Sequence, residues 1–510
     1  MSVKRRMLAV AIAGVMGLSG CLLTAMPAAA RTPDGQAHYV DCSASTPGDG
    51  GVQSPWNSLS QVNAQTFGAG QELLFKRGVQ CVGELEPQGS GSAASPFVIS
   101  DYGTAHTRAA IEGGGAEAAV KLYNEQHITL SNLEITNSAS PASQRRGVLV
   151  QLQDYGVGHG YLLKNLDVHD VLGGDLKGPN GSQGIAFKVS GSSVSTSFDG
   201  VDIVGNRLDH VDRQGIVIVL STWSNRAEVG STAPENWVPS THVVIERNVL
   251  TDIGGDGIVM NTTDGALVQR NTVSGFNERS AAYNAGVWDY NTDNSLLQYN
   301  DVSGGRTHLD GMAYDVDQGN IATTFQYNYS HDNEGGFFLL CNNGPGVIRE
   351  AVVRDNFSSN DSYRGIENCK GAIESARFSN NTIYIGDGVS QTVVNENTTS
   401  LRNVAFDDNI VYKTGAGVAD FNLRSGGYTF AGNVFAGVQN APQQSVAGRV
   451  VGRCAAGATS GYPAVEAFQY LTHGHDANFA ALASDANLGR YFGADSKVTA
   501  PQPSGVGTRC

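Results

Sequence analysis

One short motif recurs along most of this chain: an apolar residue, two mostly polar residues, an asparagine and a further short apolar run. Its copies recur about every 28 residues, within the range of roughly 20–50 residues that is typical of repeat architectures. Short runs rich in Val, Ile and Phe alternate with Gly, Asn and Asp, without the spacing of helices. The clear copies end at Asn206, Asn248, Asn271, Asn300, Asn328, Asn356, Asn381, Asn409 and Asn433.

A repeat of this length, made of short strands and turns, predicts one coil of a parallel β-helix. We therefore expect an all-β, right-handed parallel β-helix, a solenoid of about eleven or more coils. Propeller blades need longer repeats of about 40–45 residues, and leucine-rich repeats need leucine at fixed positions. The repeated asparagines should form one hydrogen-bonded ladder along the axis, and asparagine also tolerates the left-handed turn expected between sheets.

Three segments near the N-terminus resemble the cap and first coils of secreted β-helix proteins of the pectate-lyase-like superfamily. They run from Tyr39 to Asp41, from Pro55 to Leu59 and from Leu74 to Gly78. Together with the repeat, the resemblance covers roughly residues 38–440. It implies an extracellular protein that cleaves or binds polysaccharides. It does not fix the reaction, because lyases, hydrolases, transferases and adhesins share the fold.

The two ends of the chain differ from the repeat. Residues 1–30 are predicted to be a secretory signal peptide, because basic residues precede an apolar run and the small residues Ala28 to Ala30. The alternative is a lipoprotein signal, Leu18 to Cys21, which would anchor the chain through lipidated Cys21. We expect an N-terminal cap and first coils over 31–125, the β-helix over 126–436, and a partly helical C-terminal cap over 437–510, which would cover exposed strand edges.

Six cysteines remain when Cys21 is set aside. An even number of cysteines in an exported protein indicates disulfides, and the absence of any C-x-x-C pair argues against a zinc site. The pairing in sequence order, one of fifteen possible connectivities, is Cys42–Cys81, Cys341–Cys369 and Cys454–Cys510.

The charge of the chain limits its partners. It carries 48 acidic and 33 basic residues, for a net charge of −15. Nucleic-acid binders normally carry a basic face, so we expect no nucleic-acid partner. No apolar run beyond the N-terminus is long enough to span a bilayer. The expected partner is a polysaccharide substrate, bound by a monomer.

A second motif, one residue followed by Gly and an apolar strand, occurs in most coils. Equivalent positions in a β-helix stack about 4.8 Å apart, so these residues should form a column with Asp256, Asp310 and Glu334 as its acids. For any single one of them, an ordinary Asp-Gly or Glu-Gly turn remains an equally good interpretation. The full column is Arg146, Gln183, Gln214, Asp256, Ala285, Asp310, Glu334 and Arg364.

Acids, histidines and aromatic residues are concentrated between residues 250 and 340, where we predict a site. Asp315 and Asp317 should lie on one face of a strand because side chains alternate. The candidate catalytic residues are Asp310, Asp256, Glu334, Asp315 and His308. The candidate substrate-binding residues are Asp317, Trp288, Asp289, Tyr290, His331, Arg213, Trp223 and Arg364.

Three functions fit these residues. A glycoside hydrolase needs one protonated and one ionised carboxyl and no cofactor; this is the first choice. A polysaccharide lyase acting on uronates needs a base and Ca²⁺ or Arg. Its Ca²⁺ ligands would come from Asp310, Asp315, Asp317 and Glu334. A non-catalytic polysaccharide-binding or adhesin protein is the third alternative.

Overall fold

The structure is a computed structural model that describes residues 37–175, 181–445 and 449–451. Almost all of its ordered elements are short β-strands, and the pairings between named strands are parallel. An α-helix, Leu59–Asn63, and a 3-10 helix, Ala227–Val229, interrupt them. The predicted signal peptide, Cys21, Cys454, Cys510 and most of the predicted C-terminal cap lie outside the described residues.

Three long sheets contain most of the described strands, and from Ala118–Tyr123 to Ala419–Asn422 each coil contributes one strand to each sheet in turn. The first sheet contains Ala37–Val40, Glu72–Lys76, Phe97–Tyr102, Ile128–Ser131, Val157–Lys164, Ser197–Val204, Ser240–Glu246, Leu267–Gln269, Leu296–Gln298, Thr324–Gln326, Ala351–Arg354, Ala376–Ser379, Val404–Asp407 and Tyr428–Ala431, with Thr263–Asp264 paired beside Ser240–Glu246.

The second sheet contains Gln80–Val82, Ala110–Glu112, Glu134–Ser138, Asp167–Leu172, Arg207–Val211, Val249–Ile253, Thr272–Ser274, Asp301–Ser303, Tyr329–His331, Phe357–Ser359, Thr382–Ile385, Ile410–Lys413, Val434–Ala436 and Arg449–Val451. The third sheet contains Ala118–Tyr123, Arg146–Gln153, Gln183–Ser190, Gln214–Ser221, Ile258–Asn261, Val287–Tyr290, Met312–Asp317, Gly336–Arg349, Tyr363–Ile373, Gln391–Asn397 and Ala419–Asn422, with Asn320–Ile321 beside Gly336–Arg349. A separate short pair is Thr66–Phe67 with Gln88–Gly89. This arrangement is a parallel β-helix.

The core lies inside the coils and is made of stacked apolar side chains. The apolar residue that opens each repeat motif pairs in register with its copies on the neighbouring coils and is buried, so the motif records the core stack as well as the turn. Those residues are Ile203, Ile245, Val268, Leu297, Phe325, Val353, Phe378, Phe406 and Phe430.

The predicted asparagine ladder is confirmed from Asn206 to Asn433. In the middle of it, Asn300 Oδ1 accepts hydrogen bonds from the backbone N (3.1 Å) and from Nδ2 (3.0 Å) of Asn271. Asn300 Nδ2 in turn donates to Val268 O (3.0 Å) and to Asn328 Oδ1 (3.0 Å). The same pattern links the other copies.

The left-handed turn lies one residue earlier than the sequence suggests. The residue before each ladder asparagine has a positive φ, as in Arg270 (56°), Tyr299 (57°) and Tyr327 (54°). The asparagine itself is therefore not selected for tolerance of that conformation. Its fully buried amide is selected because it satisfies two donors and one carbonyl of the adjacent coils.

Two of the predicted disulfides, Cys42–Cys81 and Cys341–Cys369, are confirmed. The first joins the N-terminal segment to the second sheet, and the second joins neighbouring strands of the third sheet. In the part of the chain that the structure describes, no helix is long and apolar enough to cross a membrane.

The substitution Asn300→Ala should destabilise the whole solenoid. It removes the acceptor of two buried donors of Asn271 and the donor to Val268 O, so the free energy of unfolding should fall by about 3 kcal/mol. Urea denaturation followed by circular dichroism measures this change. The control is Gln80→Ala, which removes an exposed amide with one hydrogen bond to Glu112. An equal loss in both variants would contradict the structural role of the ladder.

Candidate functional site

A cavity of about 570 Å³ lies on the outer face of the third sheet. Four of the predicted carboxylates line it together, as do the predicted residues Trp288, His308 and Arg364. Its lining is Asp256, Tyr283, Asn284, Ala285, Trp288, His308, Leu309, Asp310, Asp315, Asp317, Cys341, Asn343, Tyr363, Arg364, Glu367, Cys369, Lys370, Asn395, Asn397 and Arg424.

The predicted column of residues before Gly has the wrong register at Asp310 and Glu334. Val287 pairs with Tyr314, so the strand position of Ala285 corresponds to Met312 rather than to Asp310. Asp310 instead pairs with Asn284. The sequence could not reveal this shift, because an Asp-Gly step looks the same in a turn and at the start of a strand.

Asp310 belongs to a turn in front of its strand. Asp310 (φ 56°) and Gly311 (φ 66°) both adopt the left-handed conformation. Gly311 N donates to Asn284 O (2.8 Å), which fastens the turn to the preceding coil. Asp310 therefore reaches the cavity from the loop of residues 304–311, and not from a stacked column.

Asp256 supports one wall of the cavity from within. It is fully buried and forms an ion pair with the equally buried Arg213 (2.9 Å). Its Oδ1 accepts hydrogen bonds from Trp288 Nε1 (3.0 Å) and from Ala285 N (3.1 Å), and its Oδ2 accepts one from Gln214 Nε2 (3.1 Å). Asp256 and Arg213 thus fix the indole of Trp288 at the cavity wall.

Asp315 and Asp317 lie on the strand Met312–Asp317 and both line the cavity, as strand alternation predicts. Asp315 pairs in register with Trp288 on one side and with Leu339 on the other. Asp315 is buried, whereas Asp317 is partly exposed. These two carboxylates form the floor of the cavity, next to the indole.

Arg364 connects the loop of residues 304–311 to the sheet. Its Nη2 donates to the carbonyls of Asp310 (2.7 Å) and His308 (3.2 Å), and its Nε donates to Gly335 O (3.2 Å). Its Nη1 forms an ion pair with Glu367. Because the arginine is almost completely buried, it fixes the backbone that carries Asp310.

Several cavity residues are missing from the sequence-based set. Glu367 pairs with Leu339, which itself pairs with Asp315, so its position follows once the register of the third sheet is known. Asn395 is the next residue in that row. No count from the ladder asparagines gives this row, because the number of residues between the ladder and the third sheet differs between coils. Others that were missed are Tyr283, Leu309, Tyr363, Asn397 and Arg424.

Two predicted residues, Glu334 and His331, do not line the cavity and have partners elsewhere on the coil. Glu334 is exposed, accepts a hydrogen bond from Thr307 N (2.8 Å) and pairs with Arg306 (3.5 Å). His331 lies in the second sheet between Asp301 and Asp332. Burial lowers the pKa of His331, but hydrogen bonds to both carboxylates outweigh it and raise the pKa to about 10.

Three further predicted substrate-binding residues, Asp289, Trp223 and Tyr290, do not line the cavity. Asp289 points into the coil, where Thr292, Asn320 and Thr323 donate hydrogen bonds to it. Burial raises its pKa to about 7. Trp223 packs against the hydrophobic core, and Tyr290 is half-buried beside the strand end, outside the cavity lining.

Of the predicted Ca²⁺ ligands, Asp310, Asp315 and Asp317 line the cavity, and Glu334 does not. Among the residues described, no three His, Cys, Asp or Glu side chains are grouped so that they could hold a metal ion.

Comparison with known proteins settles the handedness. The model of the "Right handed beta helix region" family matches residues 193–383. The fold is a right-handed parallel β-helix. Two crystal structures of the GH136 lacto-N-biosidase from Eubacterium ramulus have this fold, with TM-scores of 0.63 and 0.61 and 24% and 23% identity. They cover 74% and 76% of this chain, and the match covers 68% of each of those chains.

A curated relative extends the likeness in sequence. It is a lacto-N-biosidase of Bifidobacterium longum subsp. longum, 24% identical over 509 aligned residues. The alignment covers 81% of this chain and 31% of the relative, so this chain spans less than a third of the length of that protein.

The substitution Asp256→Asn should be strongly destabilising, because it leaves the buried Arg213 without a counter-charge. Breaking a buried ion pair costs about 3–5 kcal/mol. The matched substitution Asp310→Asn should cost less than about 1 kcal/mol, since asparagine readily adopts the left-handed turn. Urea denaturation of both variants measures the difference. If Asp256→Asn proved as stable as the wild type, Asp256 would have no supporting role.

Proposed function

We propose that this chain is a glycoside hydrolase that cleaves a neutral oligosaccharide in the cavity on the third sheet. The observation that carries the proposal is that Asp310, Asp315 and Asp317 line one cavity together with Trp288. Glycoside hydrolysis requires a pair of carboxyl groups on either side of the scissile bond. The likeness to lacto-N-biosidases supports this reaction and suggests lacto-N-biose as the released sugar.

The charges of the lining favour a neutral sugar over a uronate. Two acids of the cavity, Asp256 and Glu367, are neutralised by the buried arginines Arg213 and Arg364. The lining also contains three further aspartates, Asp310, Asp315 and Asp317, and two exposed cations, Lys370 and Arg424. Electrostatic interactions would contribute little to the binding of an anionic substrate in a cavity with excess negative charge.

The reacting carboxyls are proposed to come from Asp310, Asp315 and Asp317, the aspartates that line the cavity together beside Trp288. Asp310, on the loop at the cavity mouth, is proposed as the general acid, because the leaving group departs toward solvent. The second carboxyl comes from the floor, where Asp317 is more exposed than Asp315. The Cα atoms of Asp315 and Asp317 are separated by about 6.7 Å, two residues of strand rise. Carboxylates that lie close together repel each other, which favours a proton on one of these aspartates. A general acid must carry such a proton.

The substitution Asp310→Asn should lower kcat on p-nitrophenyl lacto-N-bioside by about 10²- to 10⁴-fold, because proton transfer to the leaving group is lost. Release of p-nitrophenol measures the rate. The matched control is Asp332→Asn, since Asp332 is exposed, outside the cavity and has the same left-handed φ of 56°. Wild-type turnover by Asp310→Asn would exclude this residue as the acid.

Azide rescue assigns the second carboxyl. Asp315→Ala and Asp317→Ala are assayed with and without sodium azide, and the product is analysed by NMR. A glycosyl azide of inverted configuration identifies the nucleophile of a retaining enzyme, whereas a direct attack of water gives no azide product in either variant.

Release of an unsaturated uronate, abolished by EDTA, would instead favour the lyase alternative. Binding of glycans without any product would favour the adhesin alternative.

We also propose that the protein is exported, because two disulfides are typical of compartments outside the cytosol. Mass spectrometry of the protein secreted by its host should give an N-terminus at Arg31 and no reactive thiol. A diacylglyceryl group on Cys21 would contradict the soluble form, and titratable thiols in the native protein would contradict a disulfide-stabilised one.

A further inference from the structure

Exposed apolar side chains gather at the mouth of the cavity. Among the described residues, the large hydrophobic side chains that are exposed are otherwise scattered aliphatic ones, and both exposed aromatics, Tyr283 (55%) and Tyr363 (47%), line this cavity. Leu309, 40% exposed, lines it as well. A solvent-facing group of this kind beside a polar cavity is typical of a binding surface.

Tyr363 and His308 form a stacked pair at this mouth. Their ring centroids are 4.2 Å apart, and the ring planes are inclined by only 13°. Both residues are exposed. The guanidinium of Arg364 lies 4.7 Å from the centroid of the Tyr363 ring. This stack, called the rim platform below, leaves parts of both rings exposed to solvent.

The rim platform is held in place from below. Arg364 donates to the backbone carbonyls of His308 and Asp310, so it fixes the loop side of the stack. Tyr363 is fixed on the strand side, because its N donates to Ser390 O (3.0 Å). Aromatic rings that are already rigid lose little entropy when a ligand stacks on them. The fold therefore holds the backbone of both aromatic residues at the surface without burying their side chains.

We propose that the rim platform is the subsite for the sugar ring on the leaving-group side of the scissile bond. The C–H face of a pyranose is apolar and fits an aromatic surface, while its hydroxyl groups remain in water. This inference rests on the proposed hydrolase function and deepens it. It also gives His308 a stacking role in place of the base or acid role expected from sequence.

The position of the rim platform indicates which half of the substrate it holds. The carboxylates Asp315 and Asp317 are more buried than the rim platform, so the sugar that reacts is placed against them. The rim platform lies at the open side, two residues from Asp310 along the loop. A general acid protonates the leaving oxygen, so the ring attached to that oxygen lies beside Asp310 and toward solvent. The rim platform is the aromatic surface at that place.

The kinetic test compares two substrates with the same reacting sugar: a neutral oligosaccharide and the corresponding glycosyl fluoride, which has no leaving-group ring. Tyr363→Ala should lower kcat/KM for the oligosaccharide, relative to that for the fluoride, by about tenfold, mostly through KM. Tyr363→Phe should restore the ratio, because it keeps the ring. An equal loss on both substrates, or no loss on either, would overturn the assignment.

The matched control is Tyr299→Ala. Tyr299 also has a left-handed φ (57°), stacks on a neighbouring ring, Tyr327 (5.4 Å), and carries an arginine, Arg270, 5.4 Å from its ring centroid. It lies on another face of the coil, so its removal should leave the substrate ratio unchanged. A lowered ratio in this variant as well would mean that loss of packing, rather than loss of a subsite, explains the result.

A binding measurement separates failure of this inference from failure of the proposed reaction. Wild-type protein, Tyr363→Ala and Tyr299→Ala are applied to an array of neutral and acidic oligosaccharides. Binding that depends on Tyr363 in a protein without hydrolytic activity would support the rim platform and contradict the hydrolase. Hydrolysis without any dependence on Tyr363 would support the hydrolase and overturn the rim platform. Absence of both hydrolysis and glycan binding would overturn both.

Discussion

The register between successive coils depends on one buried hydrogen-bond pattern. Backbone pairing between parallel strands is the same at every register, so it cannot by itself prevent a coil from slipping along its neighbour. The asparagine ladder can, because each amide fits only the amide and backbone groups of the next copy, and a slip would leave buried donors unpaired. The stack of apolar residues three positions before each asparagine adds to this restraint, since it comes into contact in the same register.

This restraint applies at the turn between the first and second sheets. The number of residues between the second and third sheets is therefore free to vary from coil to coil. Insertions between the second and third sheets do not disturb the ladder, because each coil returns to register at the next asparagine. The loop of residues 304–311 is such an insertion, and it brings Asp310 over the third sheet. The candidate site thus lies on the side of the solenoid where the coil length can vary without loss of the core.

The contrast between the fixed register at the ladder and the variable coil length before the third sheet explains what the sequence could and could not predict. Asn300 and its copies were found from sequence because a buried amide has few substitutes, so the residue type repeats. Asp315 and Asp317 were placed on one face because strand alternation is local. The partner of Asp310 was misplaced because its loop changes length, and a pattern of one residue before Gly does not record that change. Glu367 was missed because its relation to Asp315 depends on a register across three strands.

Arg364 links the regular third sheet to the loop of the candidate site through hydrogen bonds. Its guanidinium is buried beside Glu367, so the desolvation of its charge is offset by the ion pair and by three backbone carbonyls. Those carbonyls belong to the segment from His308 to Asp310 and to Gly335 on the next coil. The position of a loop carboxyl and of an aromatic surface is thereby set by one residue of the regular sheet. In the proposed hydrolase, a backbone held in this way would position the Asp310 carboxyl before a substrate arrives, which is a physical condition for efficient proton transfer.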